Sequence, residues 1–175
     1  KANKICKLGV GRTFQIPQSL NDMTVYENVL VGSLCRYSDI SSARKTTVEI
    51  METCGINKFK NSLVKNLNVI QKKRIEIARA LATKPRLLLL DETMAGLTNK
   101  ERQDAVELIR TINKMGITIL TIEHVMDVVM TVSDKVVVIN SGKLLVEGTP
   151  DEITSNEEVI NAYLGEAKDV KSKKS

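Results

Sequence analysis

The stretch Leu87-Leu88-Leu89-Leu90-Asp91-Glu92 restricts the fold of this chain more than any other. A short continuous apolar run, with Pro85 upstream and a turn-like stretch downstream, reads as a strand buried on both faces, as in a parallel sheet. Open α/β sheets bind ligands beyond the carboxyl ends of their strands. Two adjacent acids leaving the strand at that edge are costly to desolvate unless something cationic sits beside them. A metal ion or a polarised water is their natural partner; a solvated strand-to-helix corner is the plainer alternative.

At 175 residues the chain can form one compact domain, or two small subdomains sharing a core. Hydrophobic residues make up 42% and aromatics only 3%, which suits an aliphatic α/β core. The longest apolar runs, Leu87 to Leu90 and Val136 to Ile139, fall far short of the roughly 20 residues a membrane-spanning helix needs. The first residues do not read as a signal peptide. Cys6, Cys35 and Cys54 are odd in number and lack metal-ligand spacing, so they are expected to be reduced, ordinary residues of a cytosolic protein. The net charge of +5 owes much to Lys168, Lys171, Lys173 and Lys174. That tail is expected to be disordered solvating sequence, with nucleic-acid or anionic-lipid binding as the minor alternative.

Helix starts are marked by Ser or Thr followed three residues later by Glu, which satisfies free amide donors in both directions. Thr24 to Glu27, Thr98 to Glu101, Thr149 to Glu152 and Ser155 to Glu158 fit, and Pro150 strengthens the third. After Thr98, Ala105, Leu108, Ile109 and Ile112 fall at i, i+3, i+4 and i+7, so that helix buries one stripe and ends near Gly116. Ile117 to Ile122 and Lys135 to Asn140 are rich in β-branched residues, and Ser141-Gly142 turns the latter into a partner strand, Lys143 to Glu147. From residue 86 the order strand, helix, strand, helix, strand, strand predicts an α/β sheet with right-handed crossovers. Residues 24 to about 83 show helix-like stretches only. A helix from about Val69 to Thr83 sets Ile77, Ala78 and Leu81 inward, and Lys72, Lys73 and Arg74 read as a solvated basic face.

If Leu87 to Leu90 and Ile117 to Ile122 are parallel neighbours, Asp91-Glu92 and Glu123-His124 leave the sheet at one edge. A third segment, Leu8 to Phe14, has the same character and delivers Gln15 to a loop that can reach that edge. His124 is the only histidine; a satisfied structural role is the alternative to a functional one. The chemistry that uses these groups together is nucleoside triphosphate hydrolysis. Asp91 would hold magnesium through its water shell and Glu92 would polarise the attacking water. His124 would contact the terminal phosphate or orient the Glu92–water pair, and Gln15 is a second contact to metal and water. Such catalysis depends on positioning and charge stabilisation, so a stiff sheet must hold the groups together.

Taken in order, Arg12-Thr13-Phe14-Gln15, Leu87 to Glu92, Ala95-Gly96-Leu97-Thr98 and Thr121-Ile122-Glu123-His124 resemble the Q-loop, Walker B, D-loop and H-loop of an ABC transporter ATPase. The stretches Gly11 to Gln15, Ile122 to Met130, and Glu147-Gly148-Thr149-Pro150 running on to Ala162-Tyr163-Leu164-Gly165-Glu166-Ala167 resemble the ATP-binding subunits of branched-chain amino acid importers. The likeness spans residues 5 to 167. It implies a P-loop NTPase-like α/β core with an inserted helical subdomain, using ATP and Mg2+. Residues 1–15 would be a strand and Q-loop remnant of the core, 16–83 the helical subdomain with the signature loop, 84–165 the C-terminal half of the core, and 166–175 the basic tail. The resemblance further implies nucleotide contacts from Gln15, Asn68, Gln71 and Thr98, metal contacts from Asp91 and Gln15, and catalytic roles for Glu92 and His124. Its implied partners are a second ABC ATPase subunit, transmembrane permease subunits and, indirectly, a solute-binding protein, with no nucleic acid. The implied location is the cytoplasmic face of the membrane, with residues 16 to about 66 transmitting motion to the permease.

The chain departs from the family in three places. No G-x-x-x-x-G-K-[ST] loop occurs: Gly142-Lys143 has Val137 where the first glycine belongs and Leu144 after it. The expectation is a core truncated at the N-terminus, with its first strands and phosphate loop missing, and a chain truly starting at Lys1 would bind ATP poorly. Leu67-Asn68-Val69-Ile70-Gln71 stands in place of the family's Leu-Ser-x-Gly-Gln signature, with a branched side chain where close backbone approach is required. A weakened composite site and a heterodimer are therefore expected. Thr93 replaces the proline that usually follows Walker B. The alternatives to a hydrolysing importer subunit are a non-catalytic or degenerate partner subunit, and an ATPase of a lipid or polysaccharide exporter.

Overall fold

The structure, a computed structural model, describes residues 1–161. The expected basic tail and the Ala162 to Ala167 stretch lie outside these residues. The chain divides into two units, Lys1–His124 and Val125–Ser175. This boundary falls within the 84–165 segment that the sequence reading kept whole.

In the first unit, α1 (Ala2–Lys7) leads into β1 (Val10–Arg12). Two helices follow, α2 (Val25–Leu34) and α3 (Ile40–Thr53), then 3-10 turns at Asn57–Phe59 and Val64–Asn66, and α4 (Val69–Ala82). Next come β2 (Leu87–Asp91), α5 (Asn99–Lys114) and β3 (Thr118–Ile122). The strands form a parallel sheet in the order β1-β2-β3, with Arg12 opposite Leu89 and Asp91 opposite Ile122. This α/β architecture is the one expected. Strong local signals set the helix starts: Thr24 with Glu27 and Thr98 with Glu101 form reciprocal capping boxes.

One face of the sheet is more open than the leucine run implies. Leu88 and Leu90 are buried, but Leu87 and Leu89 are only half-buried, and Leu120 and Ile122 beside them are exposed. The expectation of burial on both faces is corrected accordingly. Ala80 of α4 reaches Gly11 on the covered side, where an added Cβ would also press on Leu88 and Pro85. The helical layer packs tightly. On α2, a Cβ at Gly32 would collide with the Arg79 carbonyl oxygen of α4, so only glycine allows this approach.

The second unit holds α6 (Met126–Val132), β4 (Val136–Asn140), β5 (Lys143–Gly148) and α7 (Pro150–Thr154). β4 and β5 form a separate two-stranded antiparallel sheet. The sequence had placed them in one sheet with the earlier strands. Ser141 (φ 51) and Gly142 (φ 76) both take the left-handed conformation a two-residue hairpin needs, which makes each strand the other's antiparallel partner. Val136, Val138, Ile153 and Val159 form the unit's core. The Thr149–Glu152 box is present with Pro150 in the first turn. The predicted Ser155–Glu158 box is not, because Ser155 ends α7 and its hydroxyl donates to the Asp151 carbonyl at 2.8 Å. Asn156 caps the following turn instead, its Oδ1 accepting from the Glu158 and Val159 amides. Among the described residues no helix is long and apolar enough to cross a membrane. Cys54 is buried and Cys35 exposed, both as free thiols.

Candidate functional site

The parallel register carries β2 and β3 out of the sheet together, and β1 brings a third chain end beside them. Gln15 Nε2 donates to Glu92 Oε2 at 2.7 Å. His124 Nδ1 stands 3.9 Å from the same oxygen, with its side chain 61% exposed. Gln15, Glu92 and His124 thus come together as the topology predicts. Asp91 lies alongside but faces Arg12, whose Nη2 is 3.3 Å from Asp91 Oδ2. This arginine, stacked on the Phe14 ring, meets part of the desolvation cost assigned above to a metal or water. The signal for it was its position three residues before Gln15 on the neighbouring strand. Thr13, 1% exposed, bonds by its amide to the Leu89 carbonyl at 2.9 Å and accepts the Asp91 amide on its hydroxyl at 3.3 Å.

Asn68, Gln71 and Thr98 have other engagements. Asn68 Oδ1 accepts the Gln71 amide at 2.9 Å, and Gln71 Oε1 accepts the Asn68 amide at 3.0 Å, so the signature segment closes a capping box on α4. Thr98 caps α5 with Glu101. Ile70 lines an apolar cleft with Ile77, Met94, Leu97, Leu108 and Ile109.

The turn after β2 is held from two sides. Glu92 has φ 45, a left-handed conformation uncommon for a residue with a side chain, and its amide donates to the Ile122 carbonyl at 3.0 Å. Lys73 Nζ donates to the carbonyls of Glu92, Thr93 and Ala95 at 3.4, 3.2 and 2.8 Å. The reading of this basic cluster as a solvated face is therefore corrected: Lys73 reaches the turn, and Arg74 faces Asp104 at 3.6 Å. On the other side, Glu123 Oε1 accepts the Met94 amide at 2.9 Å and the Thr93 hydroxyl at 3.4 Å. Burial pushes the Glu123 carboxyl above the ordinary range, against the pull of these bonds.

The segment after Gln15 is also anchored to α4. Glu76, 3% exposed, accepts the Gln18 amide at 3.2 Å, and Arg79 Nη2 donates to the Gln18 carbonyl at 2.6 Å. Burial raises the Glu76 carboxyl as well. Neither residue was singled out from sequence, since both sit on what reads as an ordinary helix.

A resident metal needs a cage of its own ligands, and the described residues contain no group of three or more His, Cys, Asp or Glu side chains able to form one. Magnesium arriving with a nucleotide needs less, because it keeps waters and phosphate oxygens and takes one or two carboxylates. Asp91, a partly exposed carboxylate at the strand end, is a ligand of that kind, and the exposed His124 and Gln15 supply polar groups that phosphate oxygens can meet.

Residues 1–95 match the family described as ABC transporter, and residues 143–169 match the one described as Branched-chain amino acid ATP-binding cassette transporter. The chain is 40% identical to the high-affinity branched-chain amino acid transport ATP-binding protein BraF of Pseudomonas aeruginosa, covering 94% of this chain and 71% of the relative. It is 39% identical to the LivG protein of Escherichia coli K12, described in the same terms, with the same coverage. Among solved structures it is similar to the ADP conformation of an ATP-binding cassette of an ABC transporter, with TM-score 0.78, 29% identity, and 93% and 71% of the two chains covered. A nucleotide-free ATP-binding cassette gives TM-score 0.78 at 28% identity, covering 92% and 70%.

Proposed function

This chain belongs to the ABC transporter ATP-binding family, and we propose that it is the ATP-hydrolysing subunit of an importer for branched-chain amino acids. The observation that carries the reading is the meeting of Gln15, Glu92 and His124 around one carboxylate oxygen at the end of a parallel sheet. Bound magnesium would supply charge neutralisation for the transferring phosphoryl group. Asp91 would hold it, displacing Arg12 from its carboxylate. Glu92, fixed by Gln15, would take the proton of the attacking water, and His124 would orient that pair or meet the terminal phosphate. Asn68, Gln71 and Thr98 would serve the composite site formed with a second ATPase subunit, the first two with only the hydrogen-bonding capacity left over from capping α4.

The helical segment within residues 16–83 would carry motion to permease subunits, and the protein would work at the cytoplasmic face of the membrane. The Glu76 and Arg79 anchors on Gln18 support a mechanical link between the Q-loop and α4. One observation favours a second reading. Ile70 lines an apolar cleft at the position where the family has glycine, which suits a subunit whose signature serves its partner's nucleotide weakly. ATP-driven uptake of leucine, isoleucine or valine by vesicles holding the assembled transporter tests the main reading. Uptake should fall when this gene is deleted; undiminished uptake of all three contradicts it.

A further inference from the structure

The turn that carries Glu92 takes a shape that the local preference of a non-glycine residue disfavours. Glu92 is a non-glycine residue at φ 45, and Gly96 ends the turn at φ 77. Such conformations persist only where surrounding structure over-determines them. Here the surroundings are two opposite charges on separate elements. The Lys73 ammonium, projecting from α4, donates to the carbonyls of Glu92, Thr93 and Ala95. The Glu123 carboxylate, following β3, accepts the intervening Met94 amide. Thr93 adds its hydroxyl to the same carboxylate. Successive peptide groups are thus gripped by a cation on their oxygens and an anion on a nitrogen, in a half-buried setting where charge-assisted bonds are strong.

We infer that Lys73 is a positioning residue for hydrolysis: it clamps the 92–95 turn to α4, so that Glu92 points at Gln15 and His124 only while that helix is in place. The inference rests on the role proposed for Glu92 and adds a mechanical condition to it. Because Lys73 lies five residues beyond Asn68 on the helix that the signature segment caps, a shift of α4 reaches the turn carrying the carboxylate directly through the Lys73 side chain. The hydrogen bonds of Lys73 all go to backbone carbonyls of the turn, so its loss disturbs the placement of Glu92 and removes no side-chain contact proposed for the nucleotide.

The test uses the assembled transporter. Lys73→Met, which keeps length and removes the charge, should lower the ATPase kcat by about tenfold or more while ATP affinity stays within about twofold. Lys73→Arg should recover most of the loss, since a guanidinium can also donate to several carbonyls. Amide hydrogen exchange at residues 92–96 should rise in Lys73→Met and not in Lys73→Arg. Should Lys73→Met fail to assemble, Lys73→Gln is measured instead, with intermediate turnover expected and wild-type turnover overturning the inference. Wild-type kcat in Lys73→Met, where Glu92→Gln is inactive in the same preparation, overturns the clamp alone. Full activity in Glu92→Gln overturns the role of Glu92 and the clamp with it. Equal loss of kcat and thermal stability in both Lys73→Met and Lys73→Arg marks a merely structural residue and also overturns it.

Discussion

Replacing Ile70 by glycine should make the protein less stable even though it restores the family's signature residue. Ile70 stands in the first turn of α4, after the Asn68 cap, and lines the cleft formed with Met94, Leu97, Leu108 and Ile109. Met94 is 2% exposed and Leu97 7%, so the far wall of the cleft is dry. Full burial of an isoleucine is worth about 1.5–3 kcal/mol, and a half-buried one about half of that, roughly 1 kcal/mol. Glycine adds about 0.5 kcal/mol of helix penalty relative to isoleucine. The sum, about 1.5 kcal/mol, corresponds to a fall in Tm of about 3–6 °C for a chain of this size. Thermal unfolding followed by circular dichroism reads this directly. An unchanged Tm would refute the packing of Ile70 in the cleft. If the second reading of the function is right, Ile70→Gly combined with Asn68→Ser should raise the assembly's ATPase rate several-fold despite the lower Tm, and an unchanged rate would remove that reading.

Gly32→Ala should cost about 1–3 kcal/mol in urea unfolding, because the new Cβ meets the Arg79 backbone carbonyl, which cannot swing aside. A loss below about 0.3 kcal/mol would mean that α2 and α4 are not packed so closely. Glu123 makes a pH prediction. Its carboxyl is held above the ordinary value of 4.5 by burial, so the folded state keeps this proton longer than the unfolded chain does. Stability is then greatest below the unfolded value and falls as pH rises from about 4.5 through the raised value. Glu123→Gln should flatten that fall in urea midpoints measured from about pH 4 to about pH 8, leaving the part owed to Glu76, which shifts in the same direction. An identical slope in the variant would contradict the assignment.

The parallel sheet and the meeting of Gln15, Glu92 and His124 were legible in the sequence because they rest on local signals and topology. A leucine run between breakers, two Thr–Glu caps and one crossover helix leave the ends of β2 and β3 little choice of edge. Lys73 was not legible. A lysine in a basic run has no periodic signature, and its contacts exist only because the 92–95 turn folds back on α4. Arg12 was only partly legible, since its place before Gln15 puts it on the neighbouring strand but its pairing with Asp91 depends on the register of β1 against β2. The Asn68–Gln71 cap carries the ordinary Asn-x-x-Gln pattern, but its residues also align with a signature segment, and a linear motif does not say which use the fold makes of a side chain. The separate β4–β5 sheet shows another limit: strand character is local, whereas membership of a sheet is decided by partners far along the chain.

The most direct test of the central claim is the ATPase rate of the assembled transporter carrying Glu92→Gln, with bound nucleotide measured in the same preparation. If Glu92 activates the water while Asp91 serves the metal, turnover should fall by about 100-fold or more as ATP remains bound unhydrolysed. Hydrolysis within about twofold of wild type would contradict the account, because proton transfer to a positioned carboxylate cannot be lost so cheaply.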